Sequence, residues 1–148
     1  MFKISFVNDI GISVLHERPR VLVAEDNEQM IRAITRVLSA HCEVLCVVRN
    51  GEDAIKAALE LSPQIVVLDI LMPLLDGIQV VRQLRSVEAP CKFVILTGLE
   101  SQDFVNAALA AGSEAYVIKR RLSADMMKAI DAVIEGKRFV SELGRSGV

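Results

Sequence analysis

The run Ile65-Val66-Val67-Leu68, closed by Asp69, contains no polar residue until its last position, and three of its four apolar residues are β-branched. A half-exposed strand alternates between apolar and polar residues. A run that is apolar throughout belongs to a strand covered on both faces, as in a parallel sheet. The same pattern recurs on either side. Val21-Leu22-Val23-Ala24 runs into Glu25-Asp26-Asn27, Val44 to Val48 forms another run, Phe93-Val94-Ile95-Leu96 closes at Thr97-Gly98, and Ala115 to Ile118 closes at Lys119. Helical periodicity fills the gaps. Ile31, Ile34, Val37 and Leu38 share a face over Glu28 to Ala40, and Ala54, Ala57, Ala58 and Leu61 share one over Glu52 to Leu61, where Pro63 stops the helix. After Pro73 and Gly77 a third helix carries Val80, Val81 and Leu84. Ser101 opens a fourth that runs through Ala111, with Asp103 favouring the dipole in its first turn, and Ser123 is expected to cap a fifth that carries Met126, Met127, Ile130, Val133 and Ile134. Five strands, each followed by a helix, predict an α/β domain with a doubly wound parallel sheet and helices on both faces.

Composition narrows the class. A chain of 148 residues fits one domain, and 52% hydrophobic with 24% charged residues is a globular balance. A formal net charge of −2 gives no general attraction to nucleic acid. No apolar run approaches the roughly 20 residues needed to span a bilayer. The first fifteen residues, interrupted by Lys3 and Asp9, make a poor signal peptide, so a cytoplasmic protein is expected. Cys42, Cys46 and Cys91 form no CxxC pair and read as reduced thiols. Met1 to Pro19 lies outside the repeating scheme, as an added strand or hairpin or as an appended or upstream extension. The domain proper is expected over residues 20–140, with 141–148 a tail or linker stub.

Ligands of open parallel sheets bind outside the carboxyl ends of the strands. The residues just past each run are Glu25 and Asp26, Asp69, Thr97 and Lys119. If their strands are neighbours, three carboxylates, a hydroxyl and an ammonium share one mouth. Carboxylates so close repel one another unless a cation neutralises them. Oxygen-only ligands on a partly open site suit Mg²⁺ (or Mn²⁺), which bridges carboxylates to phosphate. Lys119 adds a point charge for a phosphate oxygen and Thr97 a hydrogen bond. Phosphoryl transfer needs little beyond such positioning and charge neutralisation, with Asp69 as the nucleophile.

The segments VLVAEDN (21–27), VVLDILMP (66–73), VILTG (94–98) and AYVIK (115–119), in this order and spacing, resemble the receiver domain of two-component response regulators over about Arg20 to Val140. The resemblance implies a flavodoxin-like sheet with strand order 2-1-3-4-5. It implies Glu25 and Asp26 as the acidic pair, with Asp26 the direct metal ligand, Asp69 as phosphoacceptor, and the backbone carbonyl of Leu71 as a further metal ligand. Thr97 and Lys119 become the switch hydroxyl and phosphate-binding lysine, and Tyr116 the aromatic that reports the state of Thr97. Leu71, Gly98 and Leu99 would flank the phosphoryl group. The implied donor is a sensor histidine kinase, and the face of the fourth helix, fifth strand and fifth helix is a homodimer surface. Such a domain is a regulatory switch rather than an enzyme for a separate substrate, with no direct nucleic-acid or membrane binding of its own. The stretch KRRLSADMMKAIDAVIEGKRFVS (119–141) is similar to receivers that precede a helix-turn-helix output domain, which implies transcription regulation through a domain outside this sequence. Many receivers follow the lysine with Pro; here Arg120 follows, which leaves the isomer of the Lys119–Arg120 bond open.

Rival readings fit less well. An aspartate-nucleophile phosphatase wants its nucleophile after the first strand and a second acid two residues on, where this chain has Leu71. A flavodoxin-like cofactor binder wants a Ser/Thr/Gly-rich loop where Glu25-Asp26-Asn27 stands, and a degenerate receiver would lack acidic residues that are all present. Arg120 and Arg121 read as solvated charge, His16 and His41 as surface residues, and Met126-Met127 as helix packing.

Overall fold

A computed structural model describes Phe6–Val7, Ser13–Val14 and residues 18–144 of the chain. Within the N-terminal stretch, β1 (Phe6–Val7) and β2 (Ser13–Val14) pair antiparallel. His16 lies outside the described residues. The remaining strands are β3 (Arg20–Ala24), β4 (Glu43–Val48), β5 (Ile65–Leu68), β6 (Lys92–Thr97), β7 (Ala115–Ile118) and β8 (Phe139–Val140). They form one parallel sheet in the order β4-β3-β5-β6-β7-β8. The helices are α1 (Glu28–Ser39), α2 (Gly51–Leu61), α3 (Gly77–Ser86), α4 (Gln102–Ala111) and α5 (Leu122–Ile134).

The expected 2-1-3-4-5 order is present, extended by a sixth short strand. β8 pairs with β7 because Phe139 N–H donates to Glu114 O at 3.3 Å and Ser141 N–H to Tyr116 O at 2.8 Å. Alternate residues of each strand enter two separate cores. Leu22, Val66, Phe93 and Tyr116 face α2, α3 and α4. Val23, Val67, Val94 and Val117 face α1 and α5, against Ile34, Leu38, Met126 and Ile130. Both faces of β3, β5, β6 and β7 are therefore buried, which is why these strands read as unbroken apolar runs, while the edge strand β4 is only half-buried. Truncating a fully buried residue such as Leu38 costs about 2–5 kcal/mol.

Helix starts are set by side-chain caps. Asn27 accepts from Met30 N–H, Asn50 from Asp53 N–H and Ser101 from Asp103 N–H, while Asp76 and Gln79 form a reciprocal capping box. Ser123 does not cap α5, contrary to expectation. A single 3₁₀ turn, Lys119–Arg121, winds directly into the helix, so the cap position falls on Arg121 and Ser123 is already helical. No cis peptide bond occurs among the described residues, so Lys119–Arg120 is trans, as expected of a bond without proline. No described helix is long and apolar enough to cross a membrane. Cys42 and Cys91 are buried and Cys46 half-buried, all as free thiols. Burial first, then the charge of Asp131, pushes the Cys42 thiol up to about 11 against the opposing charge of Arg18, which makes it a poor nucleophile.

Candidate functional site

The chain crosses from one face of the sheet to the other around β3. Its strand is flanked by β4 and β5, whose connections run in opposite directions, so a crevice opens at the carboxyl ends of β3 and β5. The strands are in step there. Ala24 lies beside Leu68, Leu68 beside Ile95, and Thr97 beside Ile118. Glu25, Asp69, Thr97 and Lys119 therefore emerge at one mouth. Asp69 is tied down by its backbone, whose N–H donates to Ala24 O at 3.2 Å. The loop after it is pinned by α3, because Gly77 N–H donates to Ile70 O at 2.9 Å. Gly77 is needed there for space. A Cβ at that position would sit 2.2 Å from Asp69 O.

Lys119 holds the site together. Its Nζ lies 2.6 Å from Asp69 Oδ2 and 3.0 Å from Glu25 Oε1. Both carboxylates are almost fully buried, at 5% and 1% exposure. Burial works against the lysine's charge, but the hydrogen bond to Asp69, the contact with Glu25 and the charges of both outweigh it and hold its pKa above the ordinary lysine value. Glu25 Oε2 accepts from Asn27 N–H at 3.0 Å. Its Oε1 is near enough to Nζ to be neutralised, yet the ammonium approaches off the direction of a hydrogen bond, so this buried oxygen has no donor.

The other expected residues are placed less uniformly. Thr97 is fully buried at the end of β6, and its Oγ1 accepts only a long 3.4 Å contact from Leu99 N–H. Asp69 Oδ1 is similarly under-used, with Leu71 N–H at 3.3 Å. Asp26 is exposed, apart from the ion pair at Lys119. Leu71 is 62% exposed, Gly98 is open, and Leu99 packs partly against the core under α4. Tyr116 is buried and its hydroxyl donates to Leu99 O at 2.7 Å. Burial first, then the charges of Asp69 and Glu100, push its pKa up to about 12.

Among the described residues no three His, Cys, Asp or Glu side chains lie close enough to hold a metal ion as they stand. The expected convergence of three carboxylates is in fact two carboxylates on one lysine, while Asp26, next in the chain after Glu25, stays exposed. The donor set still fits a hard cation: all oxygen, one buried carboxylate oxygen without a donor, and one held by a single long contact. Asp26, Asp69 and the Leu71 carbonyl are the groups that would hold it, with Glu25 behind.

Sequence reading missed four residues. Arg120 is not simply solvated, since it makes a forked ion pair with Glu100, from Nε at 2.9 Å and Nη2 at 2.8 Å. Arg121 pairs with Asp125 in the same way, at 2.8 and 3.1 Å. The i, i+4 spacing of Arg121 and Asp125 was the one available signal. Glu100 and Ser141 carry none, because their partners are brought close only by the fold.

The response regulator receiver domain family matches residues 21–131. This chain belongs to that family. The receiver is 35% identical over 125 residues to the response regulator GacA of Pseudomonas aeruginosa, covering 82% of this chain and 58% of GacA. It is 32% identical over 126 residues to the transcriptional regulatory protein PrrA of Mycobacterium leprae, covering 85% of this chain and 52% of PrrA. The chain thus spans a little over half the length of these relatives. Among solved structures it resembles the signal receiver domain of NarL from Mycobacterium tuberculosis, with a TM-score of 0.78, 26% identity and coverage of 82% and 99% of the two chains. It also resembles a LuxR-family DNA-binding response regulator from Staphylococcus aureus, with a TM-score of 0.73, 29% identity and coverage of 78% and 98%. The receiver is a regulatory module of two-component signalling.

Proposed function

We propose that this receiver accepts a phosphoryl group on Asp69 from the phosphohistidine of a sensor histidine kinase. The observation that carries this reading is Lys119 Nζ, set 2.6 Å from one oxygen of a buried aspartate at the mouth of the sheet. The free Asp69 oxygen forms the new O–P bond as the donor's N–P bond breaks. The electron pair leaves on the imidazole nitrogen, which takes a proton from water. Lys119 then serves an oxygen of the phosphoryl group, and Thr97, whose hydroxyl has no strong partner, donates to another. A bound Mg²⁺ or Mn²⁺ would supply charge neutralisation between carboxylate and phosphate oxygens.

Phosphorylation replaces the single charge of the Asp69 carboxylate with close to two on the phosphoryl group, which draws Thr97 and Lys119 inward and biases the surface of α4, β7 and α5. That face is the proposed homodimer surface, and the output is transcription regulation through a domain outside this sequence. The domain itself works in the cytoplasm without binding nucleic acid or membrane. Leu71 and Leu99 flank the phosphoryl group and slow its hydrolysis. An unchanged dephosphorylation rate in Leu71→Asn and Leu99→Ala removes that role.

The decisive experiment is incubation with acetyl phosphate or beryllofluoride, with and without Mg²⁺, comparing wild type with Asp69→Asn. A Mg²⁺-dependent adduct absent from the variant is expected. No adduct under any condition makes this a receiver that signals without phosphorylation.

A further inference from the structure

Three segments meet at one carboxylate beyond the phosphoacceptor. Glu100, in the loop after β6, accepts the fork of Arg120, in the turn after β7, and accepts from Gly144 N–H at 2.9 Å, in the segment after β8. Glu100 lies three residues after Thr97, and Arg120 directly follows Lys119. The hydrogen bond from Arg120 first, then that from Gly144, hold the Glu100 carboxyl below the usual carboxylate range.

The segment Phe139–Gly144 is fastened elsewhere too. Phe139 packs into the core under α5 and Leu143 into the core under α4, so the segment straddles the edge of the sheet. Between them Ser141 is buried. Its hydroxyl accepts from Ile118 N–H at 3.1 Å and donates to Asp125 Oδ2 at 2.7 Å. The edge of β7, in the middle of the α4-β7-α5 face, is thus occupied by the chain's own strand.

We infer that Glu100 is a positioning residue through which the state of Asp69 controls whether Phe139–Gly144 stays on the β7 edge. This rests on the phosphorylation proposed above. The direction follows from strand order. Asp69 lies at the end of β5, on the far side of β6 from β7 and β8. A phosphoryl group that draws Thr97 toward β5 draws the loop through Leu99 to Glu100 the same way, away from Arg120 and Gly144. Lys119 already lies 2.6 Å from Asp69, so it and its neighbour Arg120 have less far to move than Thr97. The clip opens from the Glu100 side, Gly144 N–H loses its acceptor, and the edge strand loosens. By thermodynamic reciprocity, a receiver with an open clip takes the phosphoryl group or its mimic more tightly.

The test uses the full chain with Mg²⁺ and beryllofluoride, following the adduct by ¹⁹F NMR and amide exchange at Phe139, Ser141 and Gly144. In wild type, adduct formation is expected to speed exchange at Ser141 and Gly144 by about fivefold, the low end of coupling between sites. Glu100→Ala is expected to exchange fast without beryllofluoride and to bind it tighter by about the same factor. Glu100→Gln, which keeps an acceptor for Gly144 and is the gentler change for folding, should fall between. A Glu100 that only holds the segment in place would speed exchange without changing beryllofluoride affinity, and that result overturns the inference. So does an adduct in wild type that leaves the three amides unchanged. The adduct signal separates these failures from the failure of Asp69 as acceptor, which overturns both readings.

Discussion

Gly77→Ala tests whether the placement of Asp69 depends on the close approach of α3. Two effects oppose each other. Alanine is the better helix former, by up to about 1 kcal/mol. The added Cβ, however, would lie 2.2 Å from Asp69 O, 2.9 Å from Asp69 C and 3.0 Å from Ile70 Cα, all backbone atoms with no rotamer to yield. Reaching even 3.0 Å from the carbonyl oxygen requires α3 and the Asp69 loop to separate by about 0.8 Å, the difference of the two distances. Such a shift stretches the Gly77 N–H to Ile70 O bond, now 2.9 Å. Overpacking in a closed site costs about 1–3 kcal/mol, so the clash outweighs the helix gain and the expected net loss is about 1–2 kcal/mol. Urea unfolding followed by circular dichroism reads that loss. The effect on phosphorylation should be larger, because a misplacement near 1 Å in a reacting group can lower rates by about 100-fold. The acetyl phosphate labelling rate at saturating Mg²⁺ measures it. A Gly77→Ala variant as stable as wild type and labelled at the same rate would refute the reasoning.

The chain has one tyrosine and no tryptophan, so tyrosinate absorbance reports Tyr116 alone, and its midpoint is expected near 12 rather than near 10. Because the folded value is raised, this contribution to stability, on the order of 2–3 kcal/mol, is complete below about pH 10 and is lost as pH rises toward 12. Lys119→Met leaves Asp69 and Glu25 buried without their counter-charge, and chemical denaturation at neutral pH should show a loss of ~2–3 kcal/mol, below the full value for a buried pair because the lysine is 21% exposed. Ser141→Ala strips a donor from Asp125 and an acceptor from Ile118 N–H, with an expected loss of about 1–3 kcal/mol in the same assay. The hydrogen bond from Arg121 first, then that from Ser141, hold the Asp125 carboxyl below its usual range against the opposing effect of burial. Its contribution to stability is therefore complete above about pH 4 and is lost as pH falls through the lowered value, which a carboxyl ¹³C titration of wild type and Arg121→Ala can follow.

The sheet and the mouth were legible because their signals are local. An apolar run such as Ile65–Leu68 needs no partner to be recognised, and a carboxylate at its end is placed by the strand itself. β8 escaped because two paired residues carry no period, and its stability comes from Ser141 and from hydrogen bonds to β7 that only the fold supplies. The partnership at the site was half visible. Three acids and one lysine can be read from spacing, but spacing cannot say that Lys119 takes Glu25 and Asp69 together while Asp26 stays exposed. Ser123 was misread because serine before a helical stripe resembles a cap, and no sequence signal marks the 3₁₀ turn that carries the helix start past it.

The late position of β8 in the chain also sets an order of assembly. Ser141 follows Ile118 by 23 residues, so at about 5–20 residues per second the β7 edge stands uncovered for roughly 1–5 s during synthesis. An unpaired edge of this kind, with Ala115–Ile118 apolar throughout, is a template for pairing with another chain. The strand that closes the finished sheet is the last to reach it, and the nascent chain is most open to wrong partners in those few seconds.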